Sequence, residues 1–228
     1  MIDIYTTTWN DEKIIQDFID HYKEIGGCTI TVYDNMSTDN TVQICLDNGC
    51  TVHRFDTGEK MDEFKLMNIR NDAWKQGSNP YVLIVDSDEW VQYSLDQLDG
   101  WDVCTTVGYG MFGTWGTREA LTHGCKSAGY CKPVLFKRES VIETNFQGGS
   151  HKAFFQFSKL GIEQCPYEIP MYHTKWRDWN YGIERQRLIA ERVAQSNLDV
   201  QMNFHYGLDE AVHWEYYMNG VNNSTKVR

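Results

Sequence analysis

Hydrophobic positions along this chain switch between two periods. Ile2 to Thr7 is a short run rich in β-branched residues and reads as a buried strand. After it, Ile14, Ile15, Phe18, Ile19, Tyr22 and Ile25 recur at the spacing of one helical face, with Asn10 placed as an N-cap and Gly26-Gly27 as the stop. The alternation then repeats. Thr29 to Tyr33 predicts a second strand, Asp34 to Asp39 a polar turn, Thr41 to Asp47 a helix ended by Asn48-Gly49, and Thr51 to Phe55 a third strand. A helix over 61–76, with Phe64, Met67, Ile69 and Trp74 on or near its buried side, leads through Asn79-Pro80 into a fourth strand, Tyr81 to Val85. Strands that alternate with helices predict an α/β fold on a parallel sheet with right-handed crossovers.

Beyond Trp90 the rhythm changes. Val103 to Phe112 and Pro133 to Arg138 read as strands, with the glycine-rich segment 108–116 and the loop 122–129 between or beside them, so the second half is expected to be mixed and partly antiparallel. A helix from about Tyr181 to Gln195, Arg-rich on one face, and another over Leu208 to Tyr217 complete the chain. With no repeat, low-complexity tract or linker in view, residues 1–228 are expected to form a single domain.

The fourth strand ends in Asp86-Ser87-Asp88-Glu89, three carboxylates at the carboxyl end of an apolar run. That end is where open α/β sheets bind ligands, and crowded acids there are costly without a neutralising cation. Asp86 and Asp88 are hard oxygen ligands of the kind Mg²⁺ or Mn²⁺ takes; the plainer reading is a loop Asp capping the next helix. At the end of the second strand Asp34 stands where a base or ribose can be hydrogen-bonded, while Ser37 and Asp39 serve better as caps. Neither GxGxxG after the first strand nor GxxxxGK[ST] anywhere occurs, which weakens dinucleotide and P-loop readings.

Charge and cysteines narrow the partners. A net charge of -11 argues against a surface that grips nucleic acid, while leaving room for a local basic pocket. Seven cysteines without CxxC spacing read as reduced thiols rather than a zinc site, and no apolar run is long enough for a transmembrane segment. The expected location is cytoplasmic, with peripheral attachment to a membrane left open.

Taken in order, Thr8-Trp9-Asn10-Asp11-Glu12, Tyr33-Asp34-Asn35-Met36-Ser37-Thr38-Asp39, Arg70-Asn71-Asp72-Ala73-Trp74 and Asp86-Ser87-Asp88-Glu89 resemble the signature elements of family 2-like glycosyltransferases with the GT-A fold. The resemblance covers residues 1–95. Gly149-Ser150-His151-Lys152, Tyr172 to Arg177 and His205-Tyr206 are similar to elements of a subgroup. It implies a nucleotide-sugar donor, with a UDP-sugar expected, a glycan or other hydroxyl acceptor, a divalent Mn²⁺ or Mg²⁺ on the DxD acids, and inversion at the anomeric carbon. It also implies that Thr8, Asn10, Glu12, Asp34 and Ser87 lie on the donor, and that Asp88 is the more direct metal ligand with Asp86 nearer the ribose. The Glu-Asp pair that usually supplies the base has no counterpart in a clear position.

Several roles stay open. Arg70 can support the acids or the sugar. If the segment after residue 170 is extended, His173, Lys175 and Arg177 face one side, giving a third metal ligand and cations for the diphosphate. His151, Asp178, Glu119 and Glu143 are candidate bases, although the preference of Asp for helix starts favours Asp178 as the cap of the last long helix. Trp115, within Gly113-Thr114-Trp115-Gly116, is the expected acceptor platform. The competing functions are a sugar nucleotidyltransferase, which wants a basic glycine-rich loop that Thr6 to Asn10 lacks, and a non-catalytic carbohydrate-binding protein.

Overall fold

The computed structural model describes residues 1–113 and 116–228. In chain order the elements are β1 (Ile2–Thr8), α1 (Ile15–Ile25), β2 (Cys28–Asp34), α2 (Thr41–Asp47), β3 (Thr51–Arg54), α3 (Glu63–Asp72), β4 (Tyr81–Ile84) and β5 (Glu89–Val91). They continue with β6 (Val103–Cys104), β7 (Val107–Met111), β8 (His123–Lys126), β9 (Leu135–Lys137), β10 (Val141–Glu143), β11 (Gln156–Phe157) and β12 (Pro170–His173). Helices α4 (Trp179–Arg192), α5 (Gln195–Asp199) and α6 (Glu210–Asn223) precede a short β13 (Thr225–Lys226).

The fold is α/β with mixed sheets. A 6-stranded sheet has the order β3-β2-β1-β4-β9-β6, in which β3, β2, β1 and β4 are parallel and β9 runs antiparallel to both β4 and β6. Ile4 on β1 is in register with Ile30 on β2 and Leu83 on β4, and all three are buried. Against this layer α1 buries Ile15, Phe18, Ile19 and Tyr22. Removing those side chains from water, at ~25 cal/mol per Å² of apolar surface, is the main force holding the first half together.

The second sheet, 5-stranded in the order β13-β8-β7-β12-β5, places β12 parallel to β7 and antiparallel to β5. The chain therefore leaves the first sheet at Ile84 and enters the second at Glu89, so the acids at 86–89 occupy the junction between sheets. The Glu89 amide bonds to the Asp86 carbonyl at 3.0 Å, making the tight turn that the change of sheet requires.

Several expected boundaries moved. Asn10 does not cap α1: it adopts φ 48, and the helix starts only at Ile15, where the Asp11 carbonyl accepts the amides of Ile14 and Ile15. Val103 to Phe112 is not one strand but two, divided between the sheets, because buried Thr106 turns aside to pair its amide and hydroxyl with the Lys132 carbonyl. The helix expected over 61–76 tightens into a 3-10 turn at Ala73–Gln76. The last helix runs on to Asn223, because Tyr217 and Gly220 continue its buried side.

That last helix is fastened by a separate apolar cluster of Phe112, Trp176 and Tyr217. At Gly220 an added Cβ would stand 2.3 Å from the Phe112 ring, so only glycine allows the helix to lie this close. Gly220→Val should lower stability by about 1–3 kcal/mol through overpacking. Urea unfolding midpoints measure this, and an unchanged midpoint would mean that α6 does not rest on Phe112.

Candidate functional site

A cavity of about 510 Å³ opens over the carboxyl ends of β1 and β4, where Thr8, Asp86, Ser87 and Asp88 border it. Its far wall comes from α4, which turns Tyr181, Arg185, Ile189 and Arg192 inward at helical spacing.

A buried ion network forms the floor. Asp86 Oδ1 lies 2.9 Å from Arg70, in the last turn of α3, and Oδ2 lies 3.1 Å from Lys132 Nζ. Lys132 reaches on to Glu89 at 2.6 Å, and Arg70 to Glu63 at 2.8 Å. Burial would raise the Asp86 pKa, yet Lys132 and Arg70 outweigh it and hold the carboxyl far below its usual range. The same acids raise Lys132 against its own burial, so it stays charged. Glu89, fully buried, is raised by burial first.

Asp11 is a second tie. Its carboxylate accepts the hydroxyls of Thr8 at 2.6 Å and Ser87 at 2.7 Å and pairs with Arg185 at 2.7 Å. One acid thus joins the ends of β1 and β4 to α4. Above it, Arg192 sits 3.6 Å and Arg185 5.2 Å from the centre of the Trp9 ring.

Asp88 is held differently from Asp86. Thr174 donates its amide at 2.7 Å and its hydroxyl at 3.0 Å to the Asp88 backbone carbonyl, which fixes the main chain and leaves the carboxylate to the cavity. Burial, then the charge of Asp86, raise Asp88 to about 6. Its Oδ2 is 3.8 Å from His173 Nε2, and the ligand atoms of Asp88, Glu89 and His173 all lie within 4.8 Å of one another. Burial lowers His173 to about 3, so its imidazole is neutral and able to donate a lone pair. Its ring stacks on Tyr130 at 4.1 Å, and Nδ1 has no hydrogen-bond partner among the described residues. A hard oxygen and a neutral nitrogen face each other where negative charge is under-compensated, a donor set that suits a divalent cation. Asp86 and Glu89 are already engaged by resident cations.

Lys175 completes this end. Its side chain borders the cavity with the ammonium 4.2 Å from the centre of the Tyr206 ring. Burial lowers it to about 8, against the pull of Asp88.

The structure brings together Thr8, Arg70, Asp86, Ser87, Asp88, His151, His173 and Lys175 around this cavity. Other expected site residues have partners within the fold and do not border the cavity. Asp34 is fully buried, accepts the Ser37 amide at 3.1 Å and pairs with Arg54 at 3.1 Å, so it builds the turn. Asn10 exchanges bonds with Thr38, and Glu12 accepts from Asn40, tying the loop after β1 to the turn after β2. Asp178 accepts the Tyr181 amide at 3.1 Å as the N-cap of α4. The extended segment expected to align His173, Lys175 and Arg177 ends at His173: the Arg177 amide turns back to the Thr174 carbonyl, and the Arg177 guanidinium pairs with Asp17 at 2.6 Å. Glu143 pairs with Lys75, and Glu119 lies beside Arg118, both outside the cavity wall. Trp115 lies outside the described residues.

Lys132, Glu63, Asp11, Tyr130 and Arg185 were not singled out from sequence as site groups. Glu63 and Arg70 stand seven residues apart on one face of α3, and Arg185 and Arg192 likewise on α4, spacings that were open to reading. Lys132 had no such signal, since only the antiparallel return of β9 beside β4 brings it to Asp86.

No protein-family model matches this chain, and no curated protein does. Among solved structures the chain is similar to residues 1–349 of Staphylococcus aureus TarS, at 18% identity and a TM-score of 0.48, covering 84% of this chain and 64% of that one. The same TarS segment in complex with UDP-GlcNAc gives 17%, 0.45, 84% and 66%. Glucosyl-3-phosphoglycerate synthase from Mycobacterium tuberculosis, in complex with Mn²⁺, UDP and glucosyl-3-phosphoglycerate, gives 17% and 0.35, covering 47% of this chain and 44% of that one. The chain thus spans less than two thirds of the TarS segment.

The ion network sets a clear test. Lys132→Met should cost roughly 3–5 kcal/mol of stability, because Asp86 keeps Arg70 but Glu89 is left buried without its ammonium. Chemical denaturation at pH 7 measures the loss, and an unaltered stability would show that Glu89 does not depend on Lys132.

Proposed function

We propose that this chain is a glycosyltransferase of the GT-A type that moves a sugar from a nucleoside-diphosphate donor, with UDP-sugars the expected class, to a hydroxyl acceptor. Residues 1–95 form most of the nucleotide side and 96–228 shape the acceptor side, with His173 and Lys175 reaching back to the diphosphate. One observation carries the reading: at the carboxyl end of a parallel sheet, Asp88 and His173 face one another at 3.8 Å with the buried ammonium of Lys175 bordering the same cavity.

Breaking the glycosidic bond places growing negative charge on the leaving diphosphate, and groups already oriented there stabilise that charge most effectively. A divalent cation, Mn²⁺ or Mg²⁺, held by Asp88 and His173 would supply Lewis-acid neutralisation of the diphosphate. Lys175 adds a positive charge that forms no direct ion pair among the described residues, although the charge of Asp88 reaches it. Arg70 and Lys132 act one step back: they keep Asp86 ionised and Asp88 in place. Attack from the opposite face, with inversion, needs a base for the acceptor hydroxyl. His151 is the candidate that borders the cavity, and the surrounding protein and the Lys132 charge lower its pKa, so it is neutral and able to accept a proton at pH 7.

A thermal-shift panel of UDP-, GDP-, CMP- and dTDP-sugars with and without Mn²⁺ tests the donor, since binding to the native state raises its melting temperature. At least one should stabilise the protein only when Mn²⁺ is present; no response to any nucleotide sugar would reject the proposal. In the responding pair, Asp88→Ala and His173→Ala should abolish the Mn²⁺-dependent shift, and EDTA should abolish turnover. Lys175→Ala should lower kcat on the order of 10²-fold with a smaller change in donor KM, because the charge it meets is largest in the transition state. An equal loss in ground-state binding alone would remove Lys175 from the chemistry.

A further inference from the structure

On the helical wall of the cavity, two polar side chains are left short of partners. Gln186 on α4 and His213 on α6 are only 3% and 6% exposed, and both border the cavity. They meet each other through Gln186 Nε2 and His213 Nδ1 at 3.3 Å. That contact leaves Gln186 Oε1 and His213 Nε2 without a hydrogen-bond partner among the described residues. The Tyr206 backbone lies close enough to favour the charged imidazole slightly, yet no bond of good geometry reaches Nε2. Turning the amide or moving the imidazole proton changes which atom is left over, because one contact cannot satisfy two groups that each offer several.

A buried polar atom without a partner has lost its hydration with nothing in exchange, so the pair is unfavourable for the free protein. Its surroundings indicate what would satisfy it. The Trp176 ring stands 5.8 Å from His213, and Tyr206 and Tyr181 border the same cavity. Burial, then the charge of Lys175, lowers the His213 pKa, so the pair itself offers neutral donors and acceptors on a wall that also carries Arg185 and Arg192. Neutral hydrogen-bonding groups set among aromatic side chains suit a hydroxylated ring, whereas a diphosphate calls for charged partners such as Lys175.

We infer that Gln186 and His213 form the subsite for a carbohydrate acceptor, hydrogen-bonding its ring hydroxyls beside the aromatic wall; this rests on the glycosyltransferase reading above. The pair then determines acceptor choice: a site built to hydrogen-bond a hydroxyl strongly rejects analogues that lack it, because its own groups are left unpaired.

The test uses the full chain with Mn²⁺ and UDP, probed by saturation-transfer NMR with the methyl glycosides of glucose, galactose and N-acetylglucosamine. At least one glycoside should bind. Gln186→Met and His213→Phe should each weaken that glycoside at least tenfold while UDP affinity, measured by calorimetry, stays as in the parent. Both variants should melt close to the parent, since each removes one unmet polar atom and leaves unmet the atom its side chain had contacted. A purely structural role for the contact would instead lower the melting temperature and leave glycoside binding intact, which would overturn the inference. So would a parallel loss of UDP affinity, which would move the pair to the donor side, and so would a UDP-binding protein that takes none of the glycosides, in which case water alone meets these atoms. Glycoside binding lost in the variants of a protein that binds no nucleotide sugar would keep the subsite and reject the transferase.

Discussion

Asp86 stands between Arg70 and Lys132, and the rest of the site depends on that bridge. The carboxylate sits where one sheet hands the chain to the next, so its two cations hold α3 on one side and the approach to β9 on the other. Removing several charges from water is expensive, and their mutual attraction repays the cost only where geometry is good and lone pairs are met. Here Glu63 and Glu89 extend the bridge into a chain of alternating sign. Such a network contributes little net stability compared with an apolar core, but it fixes relative positions closely. It also distinguishes two neighbouring acids that both border the cavity: Asp86 is paired with two cations, and the Asp88 carboxylate faces His173.

The first half of the fold was legible because its strands and helices are specified locally. The β-branched runs at 2–7 and 29–33 and the helical spacing from Ile14 to Ile25 each carry one period, and burial follows that period. Asp86 and Asp88 were legible for the same reason, since a carboxylate at the end of an apolar run is a local signal. The remainder of the site was not. Lys132 reaches Asp86 through an antiparallel return, and Asp11 meets Arg185 across more than 170 positions. Neither pairing leaves any mark on the residues beside it.

At several element ends two uses of the same residue compete. Asp178 and Asp34 are acids beside element ends, and both were taken up by backbone amides, the outcome that the preference of Asp for such positions favours. Arg177 followed His173 and Lys175 at every second position, but alternation directs side chains to one face only while the backbone stays extended. The turn from Thr174 ended that condition, and a buried pairing with Asp17 took the guanidinium elsewhere.

The contact of Arg192 and Arg185 with Trp9 joins residues near the two ends of the chain. Contacts of such long sequence separation form only after the intervening loop has been closed, an entropic cost that local structure does not incur. The first parallel strands and α1 can assemble from neighbouring segments, but the cavity acquires its far wall only when α4 arrives over them. During synthesis, when the amino-terminal half emerges first, the acids at 86–89 are therefore made before the helix that encloses them, and the site matures as a late event in folding.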